Sequence, residues 1–282
     1  YTLTGSPVYG DYTFHWTSTL GGFTDTDDIV VTFDQIPSAS FDPGTSDACG
    51  LTYTLAGNQP ISGATGSWTY TGAGTASFVS TTSYSSDVTV DTQGEYSFTW
   101  TVSNTCATFS DYANITFYHE PTVAAAGSDD EACGTSYTLA GNTATYGVGN
   151  WTAPLGVVFD DATTSTSGVT IPTFAGSSTA YTFTWTIANG ACVPSSDDVT
   201  VTFYNQPTAS ITSPSAAICG LGITNLDGNN SAIGTGSWTY TSEAGTASFG
   251  SVSSYNSSVE VTAEGEYTFT WTVSNGTCTP AT

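Results

Sequence analysis

The segment EYSFTWTVSNTC, residues 95–106, decides the fold of this chain because the same phrase returns along the sequence. It recurs as AYTFTWTIANGAC at 180–192 and as EYTFTWTVSNGTC at 266–278, with a divergent copy, DYTFHWTSTLGG, at 11–22. The tryptophans of the four copies are spaced by 84, 85 and 86 residues and are Trp16, Trp100, Trp185 and Trp271. A period this regular predicts a tandem array of one small module.

Apolar and polar residues alternate strictly within the phrase. Large apolar side chains stand at Tyr96, Phe98, Trp100 and Val102, with Ser or Thr between them. This pattern predicts a strand with one buried face and one wet face. Each period holds about seven such short segments separated by Gly, Ser, Asn or Asp, and no stretch has a helical period. We therefore expect an all-β fold of tandem Ig-like β-sandwich modules of ~85 residues in an elongated array.

Three prolines mark the predicted joints between modules. Pro37, Pro121 and Pro207 each close a strand-like run. The predicted division is a C-terminal part of a repeat at 1–37, repeat 1 at 38–121, repeat 2 at 122–207, and repeat 3, lacking its last strand, at 208–282. Because both ends are ragged and Met is absent, we expect this chain to be a window from a longer or processed protein.

The charge composition narrows the possible partners. The chain has no Lys or Arg, 24 Asp and Glu, and a formal net charge of −24. This excludes binding to nucleic acid or to an anionic membrane surface through basic side chains. No run reaches the ~20 apolar residues of a membrane span, so direct membrane insertion is not expected. The 13% aromatic content favours a folded chain over a disordered one, and the Thr- and Ser-rich surface favours an extracellular location.

Two aromatic features predict the core. Gly94 followed by Tyr96, and the similar approach to Tyr267, are typical of the tyrosine corner of Ig-like sandwiches. Trp68, with its counterparts Trp151 and Trp238, falls where such folds bury a tryptophan. We expect these indoles to be core; the alternative is that they form platforms for sugars.

Six cysteines, two per module, predict disulfides in a secreted chain. They are Cys49, Cys106, Cys133, Cys192, Cys219 and Cys278. Pairing within each module is one possibility. However, up to ~40 Å of extended chain separates Cys133 from Pro121, at the usual rise per residue, and Cα atoms must approach within ~7 Å to be bridged. Bridges across joints, Cys49–Cys192 and Cys133–Cys278, are therefore a second possibility, and free thiols a third.

Acidic residues collect near the predicted joints and suggest structural Ca²⁺ as the one candidate cofactor. The candidate ligands are Asp129, Asp130, Glu131, Asp197 and Asp198, and Asp25, Asp27 and Asp28 form a similar cluster in the first fragment. The alternative is that these carboxylates are simply solvated in turns.

Neither histidine recurs between repeats, and no nucleophile or zinc-ligand set accompanies His15 or His119. We therefore expect no catalytic residues and no enzyme. Asn-X-Ser/Thr triplets mark possible glycosylation at Asn114, Asn150, Asn229, Asn256 and Asn275.

The succession CG-TYTLAGN, GSWTYTGAGTASF and GEYSFTWTVSNTC resembles the Ig-like, PKD-like repeats of very large Bacteroidota surface proteins, including gliding-motility and type IX secretion adhesins. The resemblance covers essentially the whole chain and implies a stalk or fibre segment whose partners are neighbouring repeats. A glycan-binding module that captures surface glycans and an accessory region of a secreted enzyme are the alternatives. One variant of the stalk hypothesis is polymerisation by donation of the strand near Asp28–Asp34.

Overall fold

The computed structural model describes residues 9–42, 44–212 and 217–282, and every regular element in these ranges is a β-strand. The predicted all-β class is therefore confirmed. In the same ranges, no helix is long and apolar enough to cross a membrane. The chain divides into two compact units, one of Tyr1–Glu120 with Asn189–Val193, the other of Pro121–Ala188 with Pro194–Thr282.

The first unit begins with a hairpin and continues with one sandwich. The hairpin strands are β1 (Gly10–Leu20) and β2 (Phe23–Phe33), antiparallel along their full length. The strands of repeat 1 are β3 (Thr45–Cys49), β4 (Thr52–Ala56), β5 (Thr65–Gly72), β6 (Ala76–Phe78), β7 (Ser85–Val90), β8 (Gly94–Ser103) and β9 (Thr108–Tyr118). They form sheets in the orders β3-β9-β8-β5 and β4-β7-β6, with β3 parallel to β9.

The second unit contains repeats 2 and 3. Repeat 2 contains β10 (Asp130–Cys133), β11 (Ser136–Thr138), β12 (Val148–Thr152), β13 (Val158–Phe159), β14 (Gly168–Thr170), β15 (Ser178–Ala188) and β16 (Ser195–Tyr204). Its sheet orders, β10-β16-β15-β12 and β11-β14-β13, match those of repeat 1. Repeat 3 contains β17 (Thr224–Asn225), β18 (Thr235–Ser242), β19 (Ala247–Phe249), β20 (Ser258–Val261) and β21 (Tyr267–Ser274), in sheets β17-β20-β19 and β18-β21.

A cross-strand tryptophan pair lies at the centre of each sandwich. Trp68 is directly opposite Trp100, with ring centroids 4.7 Å apart and both side chains buried. Trp151–Trp185 and Trp238–Trp271 repeat the pair at 5.0 Å. The indole of Trp100 lies flat on Gly66, where an added Cβ would be 2.1 Å from the ring. These indoles are therefore core in the three sandwiches and are not available as sugar platforms.

The tyrosine corner is present in repeats 1 and 3. The hydroxyl of Tyr96 donates to the carbonyl of Thr92 at 3.1 Å, and that of Tyr267 donates to the carbonyl of Ala263 at 3.0 Å. Gly94 enters the corner at φ +136°, a conformation that L side chains rarely adopt. The corner fixes where β8 and β21 start and so which residues face the core.

The hairpin departs from the expectation that the repeated tryptophan is buried. Trp16 occupies the same place in the phrase as Trp100 but is 69% exposed, whereas Trp100 is 0% exposed. The difference arises because β1 and β2 form a two-stranded sheet in the described residues. The phrase alone therefore does not bury its tryptophan; a facing sheet is required.

Candidate interface at the joints between repeats

The same loop occurs where each repeat follows another. We call residues 104–107, 189–193 and 275–279 the joint loops; each follows the strand that carries the FTWT-like phrase. Loops 104–107 and 189–193 belong to the first unit, and 275–279 belongs to the second. Each lies against the residues that follow the last strand of the preceding repeat.

An asparagine anchors each joint loop. The Nδ2 group of Asn275 donates to the carbonyls of Asn205 at 2.7 Å and Ser177 at 2.8 Å, and the side chain is buried. Asn189 donates in the same way to the carbonyl of His119, and Asn104 to that of Gln35, both at 2.7 Å. A buried amide with both partners in place fixes the loop, because breaking such a bond leaves an unsatisfied polar group.

The residue after each asparagine contacts one side chain of the preceding repeat. Gly276, at φ +50°, lies under the ring of Tyr204, where an added Cβ would be 2.4 Å from ring atoms, and Gly190 lies under Tyr118 in the same way. In the first joint loop the corresponding pair is Thr105 and Asp34, whose hydroxyl and carboxylate are hydrogen-bonded. Where the preceding repeat presents a tyrosine, the joint loop has glycine; where it presents an aspartate, the loop has threonine.

Disulfides join two of the loops to the first strand of the preceding repeat. Cys49 bonds Cys192 and Cys133 bonds Cys278, with Cα atoms 4.8 and 4.9 Å apart. Of the pairings left open by the sequence, these are the ones across joints. Cys133 pairs in register with Tyr204 at the end of β16, and Cys278 lies on the carbonyl of that tyrosine.

Pairing within a repeat is absent because the two cysteines of a repeat serve different joints. Cys133 lies beside Tyr204, at the end of the last strand of repeat 2, whereas Cys192 lies beside Tyr118, at the end of the last strand of repeat 1.

For two of the six cysteines, the third possibility that the sequence left open, a free thiol, holds. Cys106 and Cys219 are free and exposed. By position, Cys106 corresponds to Cys192 and Cys278, whose partners come from the preceding repeat. Cys219 corresponds to Cys49 and Cys133, whose partners come from the following repeat.

The predicted calcium cluster is not assembled. Within 9–42, 44–212 and 217–282, no group of three His, Cys, Asp or Glu side chains could hold a metal ion. Each carboxylate instead accepts a hydrogen bond from its own donor. Asp129 and Asp197 accept backbone N–H groups, those of Thr200 and Ala126. Asp130, Glu131 and Asp198 accept the hydroxyls of Tyr137, Tyr204 and Thr184.

Two of these carboxylates connect the first strand of repeat 2 to tyrosines. The hydrogen bond from Tyr137, 2.7 Å long, lowers the pKa of Asp130. Burial, followed by the same hydrogen bond, raises the pKa of Tyr137 to about 12. Burial and the contact with Glu131 raise the pKa of Tyr204, the joint residue under which Gly276 lies. Around neutral pH both tyrosines therefore remain neutral donors.

The two histidines lie in different places and have different partners. His15 and Asp28 are cross-strand neighbours on the hairpin, with Nδ1 and Oδ1 2.5 Å apart, and both are exposed. His119 supplies its carbonyl to the joint loop through Asn189.

The glycosylation candidates divide by exposure. Asn150 and Asn256 are exposed, and Asn114 is half-buried within β9. Asn229 has both amide atoms engaged, with the Ser210 N–H and the Thr208 carbonyl. Asn275 is the buried anchor of a joint loop. The Nδ2 group to which a glycan would attach is hydrogen-bonded to a backbone carbonyl in Asn229 and Asn275, as it also is in Asn150. Glycosylation stays a prediction for all five asparagines.

Comparison with known proteins leaves the chain without a family assignment. No protein-family model matches it, and no curated protein matches it. Among solved structures, a three-Ig fragment of titin in a glutamate-to-alanine variant is 13% identical, with a TM-score of 0.48 over 88% of this chain and 96% of that one. Extracellular domains 3–5 of Drosophila OTK are 12% identical, with a TM-score of 0.42 over 69% and 71%. Since these TM-scores are below 0.5, the fold assignment rests on the strands and sheets described above.

Proposed function

We propose that this chain is a structural, adhesive segment of an extracellular filament or cell-surface stalk built from tandem β-sandwich repeats. The observation that carries the proposal is the recurring joint, in which an asparagine, a matched contact and, in two cases, a disulfide fix each loop. Disulfides also favour an oxidising, extracellular compartment. The resemblance to Bacteroidota surface repeats supports the same role.

The two disulfides interlock, and this gives the segment a mechanical property. The loop closed by Cys49–Cys192 overlaps the loop closed by Cys133–Cys278, because residue 133 lies inside the first and residue 192 inside the second. The shortest covalent path from residue 1 to residue 282 crosses both bridges and follows the chain backward from 192 to 133. It includes well under half of the residues. Even with every strand pulled out, the oxidised chain therefore cannot reach its full contour length.

Single-molecule stretching tests this role directly. A monomeric Cys106→Ser, Cys219→Ser variant is pulled by its ends in oxidising buffer and again in the presence of a thiol reductant. We expect the oxidised chain to stop at less than half of the ~3.4 Å per residue that the reduced chain reaches. Equal maximum extensions under the two conditions would show that the bridges do not limit stretching, and the mechanical role would fail.

A further inference from the structure

The hairpin carries an apolar face of the kind that the complete repeats bury. We call Tyr12, Phe14, Trp16, Ile29, Val31 and Phe33 the hairpin face. Of these, Phe14, Trp16, Ile29 and Phe33 are exposed, Phe33 to 42%. Their counterparts in repeat 1, among them Phe98, Trp100 and Phe117, are 0% exposed. Contiguous exposed apolar side chains of this kind mark an interaction site.

Repeat 3 carries an open groove where the other repeats are filled. The repeat-3 groove has a volume of about 340 Å³ and is lined by Val259, Val261, Tyr267, Phe269, Ile218 and Leu221, among others. In repeat 1 the corresponding space is occupied by Phe117 of the last strand, whose ring lies 5.5 Å from Tyr96 and 6.2 Å from Phe98. In repeat 2 it is occupied by Phe203, 6.1 Å from Tyr181.

Strand β2 has the sequence and register of the strands that fill those spaces. It ends in IVVTF, against ANITF in β9 and VTVTF in β16, so Phe33 corresponds to Phe117 and Phe203. The register also matches, since an aspartate lies opposite the phrase tryptophan in each pair: Trp16↔Asp27, Trp100↔Asp111 and Trp185↔Asp197.

In repeats 1 and 2 this aspartate also accepts a hydrogen bond from a backbone N–H near the start of the repeat. Asp111 accepts the N–H of Phe41 at 2.9 Å, and Asp197 accepts that of Ala126 at 2.8 Å. Ile211 holds the corresponding place in repeat 3, opposite Gly228 as Phe41 is opposite Gly57. On β2, the counterpart of the two aspartates is Asp27.

We propose that β2 of a second copy of this chain inserts into the repeat-3 groove, with Phe33 on Tyr267 and Phe269 and Asp27 opposite Trp271. The inference rests on the proposed filament role and names its partner. A second copy is the occupant because this sequence itself supplies the strand that matches the groove in side chains, register and hydrogen-bonding aspartate. Pairing with a sheet edge by an added strand is a known recognition mode.

Insertion exchanges one strand partner for a near copy. In the free hairpin, β2 pairs with β1, whose sequence YTFHWTS resembles YTFTWTV of β21. Replacing β1 by β21 therefore keeps the ladder of β2 and releases β1, while Ile29, Val31 and Phe33 become covered. The gain is apolar burial, which the isolated hairpin lacks.

The same docking brings the two free thiols to equivalent joint positions. Cys219 has the place in sequence of Cys133, the last residue of β10, although Cys219 itself lies outside the strands. Cys106 has the place of Cys278, on the joint loop over the end of β2. Oxidised glutathione converts such a pair to a disulfide, as the two thiols lose two electrons and two protons and each glutathione disulfide becomes two glutathione thiols. A Cys106–Cys219 bridge between copies is therefore a specific report of the docking.

The experiment is cross-linking by oxidised glutathione, followed on non-reducing gels. We expect the native chain to give a ladder of covalent oligomers in steps of 29 kDa. Cys106→Ser alone and Cys219→Ser alone should remain monomeric, and their equimolar mixture should give dimers with one copy of each. Covalent dimers from either single variant, or a bridged monomer of the native chain at all dilutions, would overturn the proposal.

A groove-contact variant separates docking from random oxidation. Phe33→Ala should slow cross-linking about tenfold or more, since it removes the side chain that fills the groove. The matched control is Val30→Ala, an exposed residue of β2 that points to the other face. Equal rates for the two variants would overturn the docking. The stretching test uses the double cysteine variant, so its result does not depend on this one.

Discussion

The residue that follows the joint asparagine shows how a single position controls packing at a joint. Replacing Gly276 by alanine puts a Cβ 2.4 Å from the Tyr204 ring and forces a side chain into φ +50°. The backbone conformation alone costs about 1–2 kcal/mol, and displacement of the ring adds to it. Urea unfolding should therefore show a loss of stability larger than that of Gly134→Ala, a matched control at φ +91° with open space around its Cβ. Equal losses would mean that the ring contact is unimportant.

The lowered pKa of Asp91 predicts the direction in which stability changes with pH. Its carboxylate accepts the Thr75 hydroxyl at 2.7 Å and the Thr75 N–H at 2.8 Å, and these hydrogen bonds lower its pKa below 3.8. A lowered folded-state pKa contributes stability above the unfolded value, which is lost as the pH falls through the folded one.

We therefore expect Asp91→Asn to flatten the decrease in melting temperature as the pH is lowered below ~4. The effect should be small because the carboxylate is solvent-exposed. Asp25→Asn removes one carboxylate charge from β2 and is the control for the loss of a charge. An unchanged slope in Asp91→Asn would contradict the assignment.

At the scale of the strand, the alternation of apolar and polar residues predicted the β-strands well. Large apolar side chains at every second position indicate a strand with one buried face. The phrase around Trp100 became β8, and its glycine and tyrosine formed the corner. The pairing of the cysteines was harder to predict from the sequence, because it depends on which ends of two successive repeats meet. The joint asparagines were missed as a set, although an Asn two or three residues before Cys106, Cys192 and Cys278 was a visible signal.

Burial was the property that the phrase could not determine. Trp16 and Trp100 have nearly the same neighbours in sequence, yet only Trp100 has a second sheet over it. Likewise, the acids near the joints suggested a cluster, whereas each one accepts a hydrogen bond from its own donor. Local sequence specifies a strand and its faces; the partner of each face comes from residues far along the chain.

The same pair of tryptophans gives a prediction for the strand. Trp100→Ala should reduce the free energy of unfolding by about 3–5 kcal/mol, since it empties the centre of the core of repeat 1. Trp16→Ala is the matched control within the same phrase and should change the monomer's stability by less than ~0.5 kcal/mol, as for other exposed positions. Circular dichroism during urea titration is the measurement, because both variants lose an indole fluorophore. A large loss in Trp16→Ala would show that the hairpin face is covered in the monomer.

For the whole molecule, the decisive property is a net charge of −24 with no Lys or Arg to balance it. Like charges repel within the folded chain, and salt screens them; the Debye length falls from ~30 Å at 0.01 M to ~8 Å at 0.15 M. The melting temperature should therefore rise with NaCl over this range, by roughly 2–4 °C for each kcal/mol of repulsion relieved. Equal concentrations of MgCl₂ and CaCl₂ should give equal shifts, because screening depends on ionic charge and the carboxylates near the joints have separate partners. A larger shift with calcium would reveal a specific cation site, and no shift with any salt would show that self-repulsion does not limit stability.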